Sequence, residues 1–142
     1  MSPGPRTFAA RMDAFPQIAA FVAEVCADAR VGQDAEFRLT LILEELFTNT
    51  VVHGHGGDCE APVRVALDVQ PGQVDVIYED TCPGFNPFAA ATTPPDDSVP
   101  LEDRLVGGLG LVLVARLCSR AEYTRLAGGN RIALAVTTAA AS

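Results

Sequence analysis

The first clear pattern along the chain is a helical repeat of apolar residues. Between Pro16 and about Arg30, apolar side chains recur at intervals of three and four positions, at Ile18, Phe21, Val22, Val25 and Cys26. This spacing predicts an amphipathic helix with one buried face. Pro16 suits its first turn because proline lacks the N–H group that a first turn leaves unpaired. Gly32 is the predicted end of this helix.

A longer helical segment follows, AEFRLTLILEELFTNTVVHG, with Asp34 as its predicted N-cap. Within it, Glu45 and Asn49 are four positions apart, which places their Cβ atoms about 5–6 Å apart on one face. A carboxylate and an amide oxygen set this way can share a hydrated Mg²⁺ ion. The ionised carboxylate can also accept a proton from a hydroxyl group. For an isolated pair of this kind, a solvated helix face is the commoner explanation.

Strand-like patterns occupy the rest of the regular sequence. RTFAARM predicts a first strand, and VRVALDV and QVDVIYED predict a hairpin that turns at Pro71-Gly72. AEYTRLA and RIALAV predict a second hairpin around Gly128-Gly129-Asn130. With a third helix in GGLGLVLVARLC, the predicted fold is a two-layer α+β sandwich. We expect a single domain over residues 1–142, with a mostly antiparallel sheet and helices on one face.

Three further segments have the composition of ligand-binding loops. A Pro- and Ala-rich stretch at about residues 86–106 predicts a lid. The glycines of GGLGL at 107–111 precede a helix, where free N–H groups favour phosphate; a tight loop without a ligand is the alternative. Asp80 ends a strand before Pro83-Gly84 and can accept a hydrogen bond from a ring amino group, or simply form the turn. His53 and His55 lack a third metal ligand nearby, so we expect them to end the helix.

Composition narrows the function classes. Eighteen acidic residues against ten basic ones give a net charge of −8, which argues against direct nucleic-acid binding. No stretch approaches the roughly 20 apolar residues that span a bilayer, so no membrane association is predicted. The four cysteines have no CxxC spacing, which argues against a zinc site and is typical of reduced thiols. We therefore expect a cytoplasmic protein.

Taken in order, these features resemble the anti-sigma-factor serine/threonine kinases, relatives of the histidine-kinase and gyrase-type ATPases with the Bergerat ATP-binding fold. EELFTNTVVHG is similar to the N box of that family, EDTCPGFNP to its Asp-x-Gly-x-Gly box, VGGLGLVLV to its second glycine box, and GGNRIAL to its closing strand. The resemblance extends from about Ala35 to Val136. Two positions depart from it: Cys82 replaces the first glycine of the Asp box, and Asn86 replaces a common aspartate.

The resemblance implies a role for each matching residue. Glu45 would be the general base, Asn49 the Mg²⁺ ligand, and Asp80 the contact to the adenine amino group. The glycines would form the turn beneath the base and approach the phosphates, at Gly84, Gly107, Gly108 and Gly110. Arg104, the arginine of the lid, would assist at the γ-phosphate. Glu44 points about 100° away from Glu45 and is assigned no catalytic role.

The resemblance also implies a function. The chain would be an ATP- and Mg²⁺-dependent serine/threonine kinase that phosphorylates an anti-anti-sigma partner with a STAS domain. It would also sequester a sigma factor, in the exchange of partners called partner switching, and it would form a homodimer. The alternative from another class is a nucleotide-gated binding module for the sigma factor or its antagonist, with little or no kinase activity.

Overall fold

The structure is a computed structural model that describes residues 4–82, 114 and 116–138. Two helices precede most of the sheet: α1 at Phe15–Asp28 and α2 at Gln33–Thr48. A short 3-10 turn, Met12–Ala14, leads into α1, and α2 continues into a π-helical segment, Asn49–Gly54. The five strands are β1 at Arg6–Ala9, β2 at Pro62–Gln70, β3 at Gln73–Asp80, β4 at Arg120–Leu126 and β5 at Gly129–Thr137.

All neighbouring strands of the sheet are antiparallel, in the order β1-β2-β3-β5-β4. Both predicted hairpins, β2–β3 and β4–β5, are present. The β3–β5 register places Asp80 opposite Asn130, so the end of β3 lies beside the start of β5. The predicted two-layer α+β fold is therefore confirmed. The predicted lid and the start of the predicted third helix lie outside the described residues.

The core lies between the two helices and one face of the sheet. Alternate residues of β2 and β3 point into it, as the period of a strand requires. Helix α1 contributes the apolar face that its sequence predicts. The buried residues of these three elements are Ile18, Phe21, Val22, Val25, Cys26, Val63, Val65, Leu67, Val74, Val76 and Tyr78. The opposite face of the sheet carries charged side chains such as Arg64, Glu79 and Arg131.

Three predicted boundaries were wrong. Helix α1 ends at Asp28, because Arg30 adopts a left-handed conformation with φ 56°. Gly32 is the extended N-cap of α2, and Asp34 lies inside the first turn, where its carboxylate accepts a hydrogen bond from Arg38 at 3.1 Å. Strand β1 ends at Ala9, before the 3-10 turn begins.

Candidate functional site

Helix α2 changes its hydrogen-bond pattern at the segment that carries the predicted Mg²⁺ ligand. Glu45 lies in the last α-helical turn, and Asn49 is the first residue of the π-helical segment. The amide of His55 donates to the carbonyl of Thr50, five residues back, at 2.9 Å. Short π-helical segments inside helices are frequent at functional sites. The side chains of Glu45 and Asn49 are half-buried and have no hydrogen bond to another described residue.

Asp80 is held by three hydrogen-bond donors at the end of β3. Its Oδ2 accepts from the Thr50 hydroxyl at 2.8 Å. Its Oδ1 accepts from Asn130 Nδ2 at 2.8 Å and from the backbone amide of Cys82 at 3.2 Å. A carboxylate offers about four lone-pair positions, so three donors leave about one free. The side chain is fixed and retains acceptor capacity for a ligand.

Thr50 joins the helix to the sheet. Its hydroxyl lies 2.6 Å from the hydroxyl of Tyr78 and 3.1 Å from the carbonyl of Leu46. A threonine has one hydroxyl proton, and the ionised form of Asp80 can only accept. When Thr50 donates to Asp80, Tyr78 therefore donates to Thr50. Burial raises the pKa of Tyr78 well above its usual value, which keeps this donor protonated.

The buried polar residues converge on Asp80. Apart from Tyr78 and the cysteines, the buried polar side chains of the described residues are Thr50 and Asn130, and both donate to Asp80. A buried polar group is costly unless it is hydrogen-bonded. The fold therefore uses its buried polar positions to orient one carboxylate.

Cys82 packs against the helix. Its side chain is 2% exposed, and its Sγ lies 3.6 Å from the carbonyl of Thr50. A Cβ atom added to Gly54 would lie 2.3 Å from this sulfur, so the thiol occupies the space that the glycine leaves. Burial, together with the charge of Asp80, raises the pKa of Cys82 to about 12. The thiol is therefore protonated at neutral pH and is a poor nucleophile.

The start of β5 contacts Asp80 and the residues after it on the side away from Thr50. A Cβ atom on Gly129 would lie 1.8 Å from the carbonyl oxygen of Asp80, so only glycine permits this approach. Asn130 also donates to the carbonyl of Cys82 at 3.2 Å and accepts from the Tyr123 hydroxyl at 2.5 Å. Arg125 donates to the carbonyls of Cys82 and Gly129 at 3.2 and 2.7 Å. These contacts fix the turn that follows Asp80.

The structure brings together some of the predicted site residues. Glu45 and Asn49 share the end of α2, and Asn49 is followed directly by Thr50, which binds Asp80. The other predicted contacts lie outside the described residues: Gly84, Arg104, Gly107, Gly108 and Gly110.

Two findings bear on metals and membranes. His53 and His55 close the π-helical segment, as predicted, and the described residues contain no group of three His, Cys, Asp or Glu side chains that could hold a metal. Across the same part of the chain, no helix has both the length and the apolar character needed to cross a bilayer.

The sequence prediction missed Thr50 and Asn130. Thr50 is a buried polar residue of the π-helical segment that continues α2, and Asn130 follows the glycines of the second hairpin. Their roles depend on the β3–β5 register and on how α2 packs against the sheet. The hairpin prediction places Asn130 in the turn, whereas in the structure Asn130 is the second residue of β5, opposite Asp80 on β3 and Arg125 on β4.

Comparison with known proteins identifies the same fold. The family model described as histidine kinase-like ATPase domain matches residues 8–136. The crystal structure of the RsbU and RsbW domains of Rv1364c from Mycobacterium tuberculosis is similar, with a TM-score of 0.63 and 19% identity, over 95% of this chain and 32% of that chain. The crystal structure of the SiaB-SiaC complex from Pseudomonas aeruginosa is similar over 95% of this chain and 89% of that chain, with a TM-score of 0.56 and 14% identity. No curated protein matches the chain.

Proposed function

Because the chain belongs to the histidine kinase-like ATPase domain family, we propose that it binds ATP with Mg²⁺ and transfers the γ-phosphoryl group to a serine or threonine hydroxyl of a partner protein. In this proposal the partner is an anti-anti-sigma protein with a STAS domain. The chain also acts as an anti-sigma factor that sequesters a sigma factor in the cytoplasm.

The observation that carries the proposal is the hydrogen bond between Thr50 and Asp80, 2.8 Å long. It fixes the position of the predicted base-binding carboxylate relative to Asn49, the residue next to Thr50. A nucleotide that spans the two points would place its base at Asp80 and its phosphates toward the end of α2. Asp80 accepts a hydrogen bond from the adenine amino group through its remaining lone-pair position.

The residues at the end of α2 suit a Mg²⁺ ion that the nucleotide helps to hold. Glu45 and Asn49 supply one carboxylate and one amide oxygen, whereas a metal cage made by protein alone would need more ligands. Mg²⁺ prefers oxygen ligands, keeps several waters, and commonly uses one or two carboxylates together with substrate phosphates. When bound, the ion would neutralise charge on the transferring phosphoryl group.

Glu45 is proposed as the general base. Its half-buried side chain has no hydrogen bond to another described residue, so it is free to accept the proton of an incoming hydroxyl. The proposal retains Gly84 beneath the base, Gly107, Gly108 and Gly110 at the phosphates, and Arg104 at the γ-phosphate. These roles are supported by the match of the family model over residues 8–136.

The similar structures support a protein partner. One of them is a complex of SiaB with SiaC, and the other contains an RsbW domain within a longer chain. A STAS-domain antagonist and a sigma factor are therefore proposed as partners here, with a homodimer as the proposed assembly.

A phosphoryl-transfer assay tests the proposal. The protein is incubated with γ-labelled ATP, Mg²⁺ and the purified STAS-domain protein encoded beside its gene. We expect label on that protein, and a loss of at least about a hundredfold in rate for Glu45→Gln, because general-base catalysis typically contributes that much. Glu44→Gln is the matched control, because this exposed neighbour on the same helix loses the same charge. Both variants are compared with the wild type at saturating concentrations of the STAS-domain protein, so that a change in partner affinity does not alter the rate.

The outcomes separate the two functions that the sequence leaves open. Transfer that Glu45→Gln abolishes and Glu44→Gln preserves supports the kinase. ATP binding and partner binding without any label would contradict the kinase and support the nucleotide-gated binding module. Equal losses in the two variants would contradict the role assigned to Glu45.

A further inference from the structure

One exposed side of α2 carries apolar residues in a line. Among the described residues, three large apolar side chains are exposed: Met12, Phe37 and Val52, at 38%, 66% and 47%. Single exposed apolar residues are ordinary. Phe37, however, lies on α2, which carries Glu45, and Val52 lies in the π-helical segment that continues it. Leu41, which is half-buried, lies between them.

The spacing places these residues on one face. We define the α2 stripe as Phe37, Leu41, Thr48 and Val52. Residues three, four and seven positions apart follow one side of an α-helix, which places Phe37, Leu41 and Thr48 on one line together with the exposed Glu44. Val52 lies one turn beyond Thr48, in the π-helical segment. With a rise of about 1.5 Å per residue, the stripe is roughly 20 Å long. The opposite side of α2 is buried in the core.

The border of the α2 stripe is acidic. Asp34 is exposed beside it, Glu44 is exposed between Leu41 and Thr48, and Glu45 lies four positions from Leu41. Arg38 is the nearby basic residue on this helix, and its guanidinium is already bound to Asp34 and to the carbonyl of Thr137. Asp34 is thus compensated by Arg38, whereas Glu44 and Glu45 have no ion pair with another described residue and make this side of the helix negative.

The apolar residues and the acidic charge together indicate which kind of molecule binds the α2 stripe. A small molecule would seek a concave pocket, whereas the α2 stripe is the outer surface of a helix. A second copy docked through a two-fold axis would bring the acidic border of one stripe close to that of the other, which is repulsive. A different protein whose surface is apolar at the centre and basic at the rim satisfies both the apolar residues and the charge.

We propose that the α2 stripe is the docking surface for the protein that presents the acceptor hydroxyl to Glu45. The inference rests on the proposed function and adds the surface to it. A protein seated along the stripe covers Leu41 and therefore lies directly beside Glu45. Docking and proton acceptance then use neighbouring positions of the same helix, so that binding itself brings the hydroxyl to the base.

A binding experiment with three matched variants tests the docking surface. The probe is the purified STAS-domain protein, titrated calorimetrically into the full chain in the presence of ADP and Mg²⁺. We expect Phe37→Glu and Val52→Glu each to raise the Kd by about tenfold or more, because each buries an added charge against the acidic border of the stripe. Met12→Glu, which places the same new charge at an exposed apolar residue away from α2, should change the Kd less than about twofold.

The control measurements distinguish this inference from the proposed function. ADP affinity should remain within about twofold in all three variants, because none of the three residues is placed at the nucleotide. If the wild type binds the STAS-domain protein but transfers no phosphate, the kinase fails and the docking surface is still tested by the Kd values. Unchanged Kd values for Phe37→Glu and Val52→Glu, or no binding by the wild type, would overturn the inference. Loss of self-association in these variants with partner binding intact would assign the stripe to a second copy instead.

Discussion

At the scale of single residues, the site is organised by Thr50. This one hydroxyl lies within hydrogen-bonding distance of Asp80, Tyr78 and the carbonyl of Leu46. A polar residue on the buried side of an apolar helix costs stability unless it is satisfied. Here the hydroxyl can bond within its own helical segment, to the carbonyl of Leu46, but its bonds to Asp80 and Tyr78 form only when this segment packs against β3.

Thr50→Val should therefore damage both stability and nucleotide binding. Valine keeps the shape of threonine but removes the hydrogen bonds of its hydroxyl to Asp80 and Tyr78. Asp80 then retains Asn130 and the amide of Cys82 as donors, and Tyr78 retains only the longer contact to the carbonyl of Leu46, at 3.3 Å. At about 0.5–1.5 kcal/mol for each hydrogen bond, the two losses cost about 1–3 kcal/mol. We expect a loss in that range in urea denaturation and a weaker ATP affinity by calorimetry. Thr48→Val is the matched control, since Thr48 is half-exposed and should change the unfolding free energy by less than about 0.5 kcal/mol. Equal effects of the two substitutions would contradict the role of Thr50.

At the scale of elements, the π-helical segment Asn49–Gly54 positions both edges of the site. It begins with the predicted Mg²⁺ ligand, contains Thr50, and ends at the glycine that contacts Cys82. The fit between Gly54 and the thiol fixes how closely this segment approaches the end of β3. The two positions are therefore expected to be coupled, although they lie 28 residues apart.

A double-mutant cycle measures this coupling. Gly54→Ala would place its new Cβ 2.3 Å from Cys82 Sγ, and we expect a destabilisation of about 1–3 kcal/mol from overpacking. Cys82→Gly removes the sulfur, so the double variant should recover most of that loss. Gly4→Ala is the control, because nothing lies within 4 Å of its added Cβ and the residue lies outside the helices and strands. Thermal or urea unfolding of the four proteins gives the interaction energy, and additive effects would contradict the proposed contact.

The sequence predicts the elements better than it predicts their junctions. Apolar periodicity identifies α1, α2 and both hairpins because each buries one face, and a buried face constrains every third, fourth or second residue. The π-helical hydrogen bonds have no such signature. Asp34 was mistaken for an N-cap because its residue type suits one, while the extended backbone that defines the cap occurs at Gly32. Partners such as Asn130 follow from the strand register, which single-segment patterns do not specify.

At the scale of the whole molecule, the site exists only in the folded chain. Its described residues come from the end of α2, the end of β3 and the start of β5, which are far apart in sequence. A ligand held by all three segments binds the native state and not the unfolded chain. Such a ligand stabilises the protein by mass action, by about 2.7 kcal/mol at a hundred times its Kd.

Thermal unfolding should therefore reveal which carboxylate holds the nucleotide. For the wild type, we expect saturating ATP and Mg²⁺ to raise the Tm by several degrees, since about 1 kcal/mol corresponds to a few degrees in a domain of this size. Asp80→Asn should lose most of this rise, because the amide cannot offer the same acceptor to the adenine amino group. Asp75→Asn is the matched control: Asp75 lies on the same strand, faces away from the core and binds Gln73. For each protein, the quantity compared is the difference in Tm with and without nucleotide. A lower Tm of the nucleotide-free variant therefore does not affect the comparison. A full rise in Asp80→Asn would show that the base is held elsewhere.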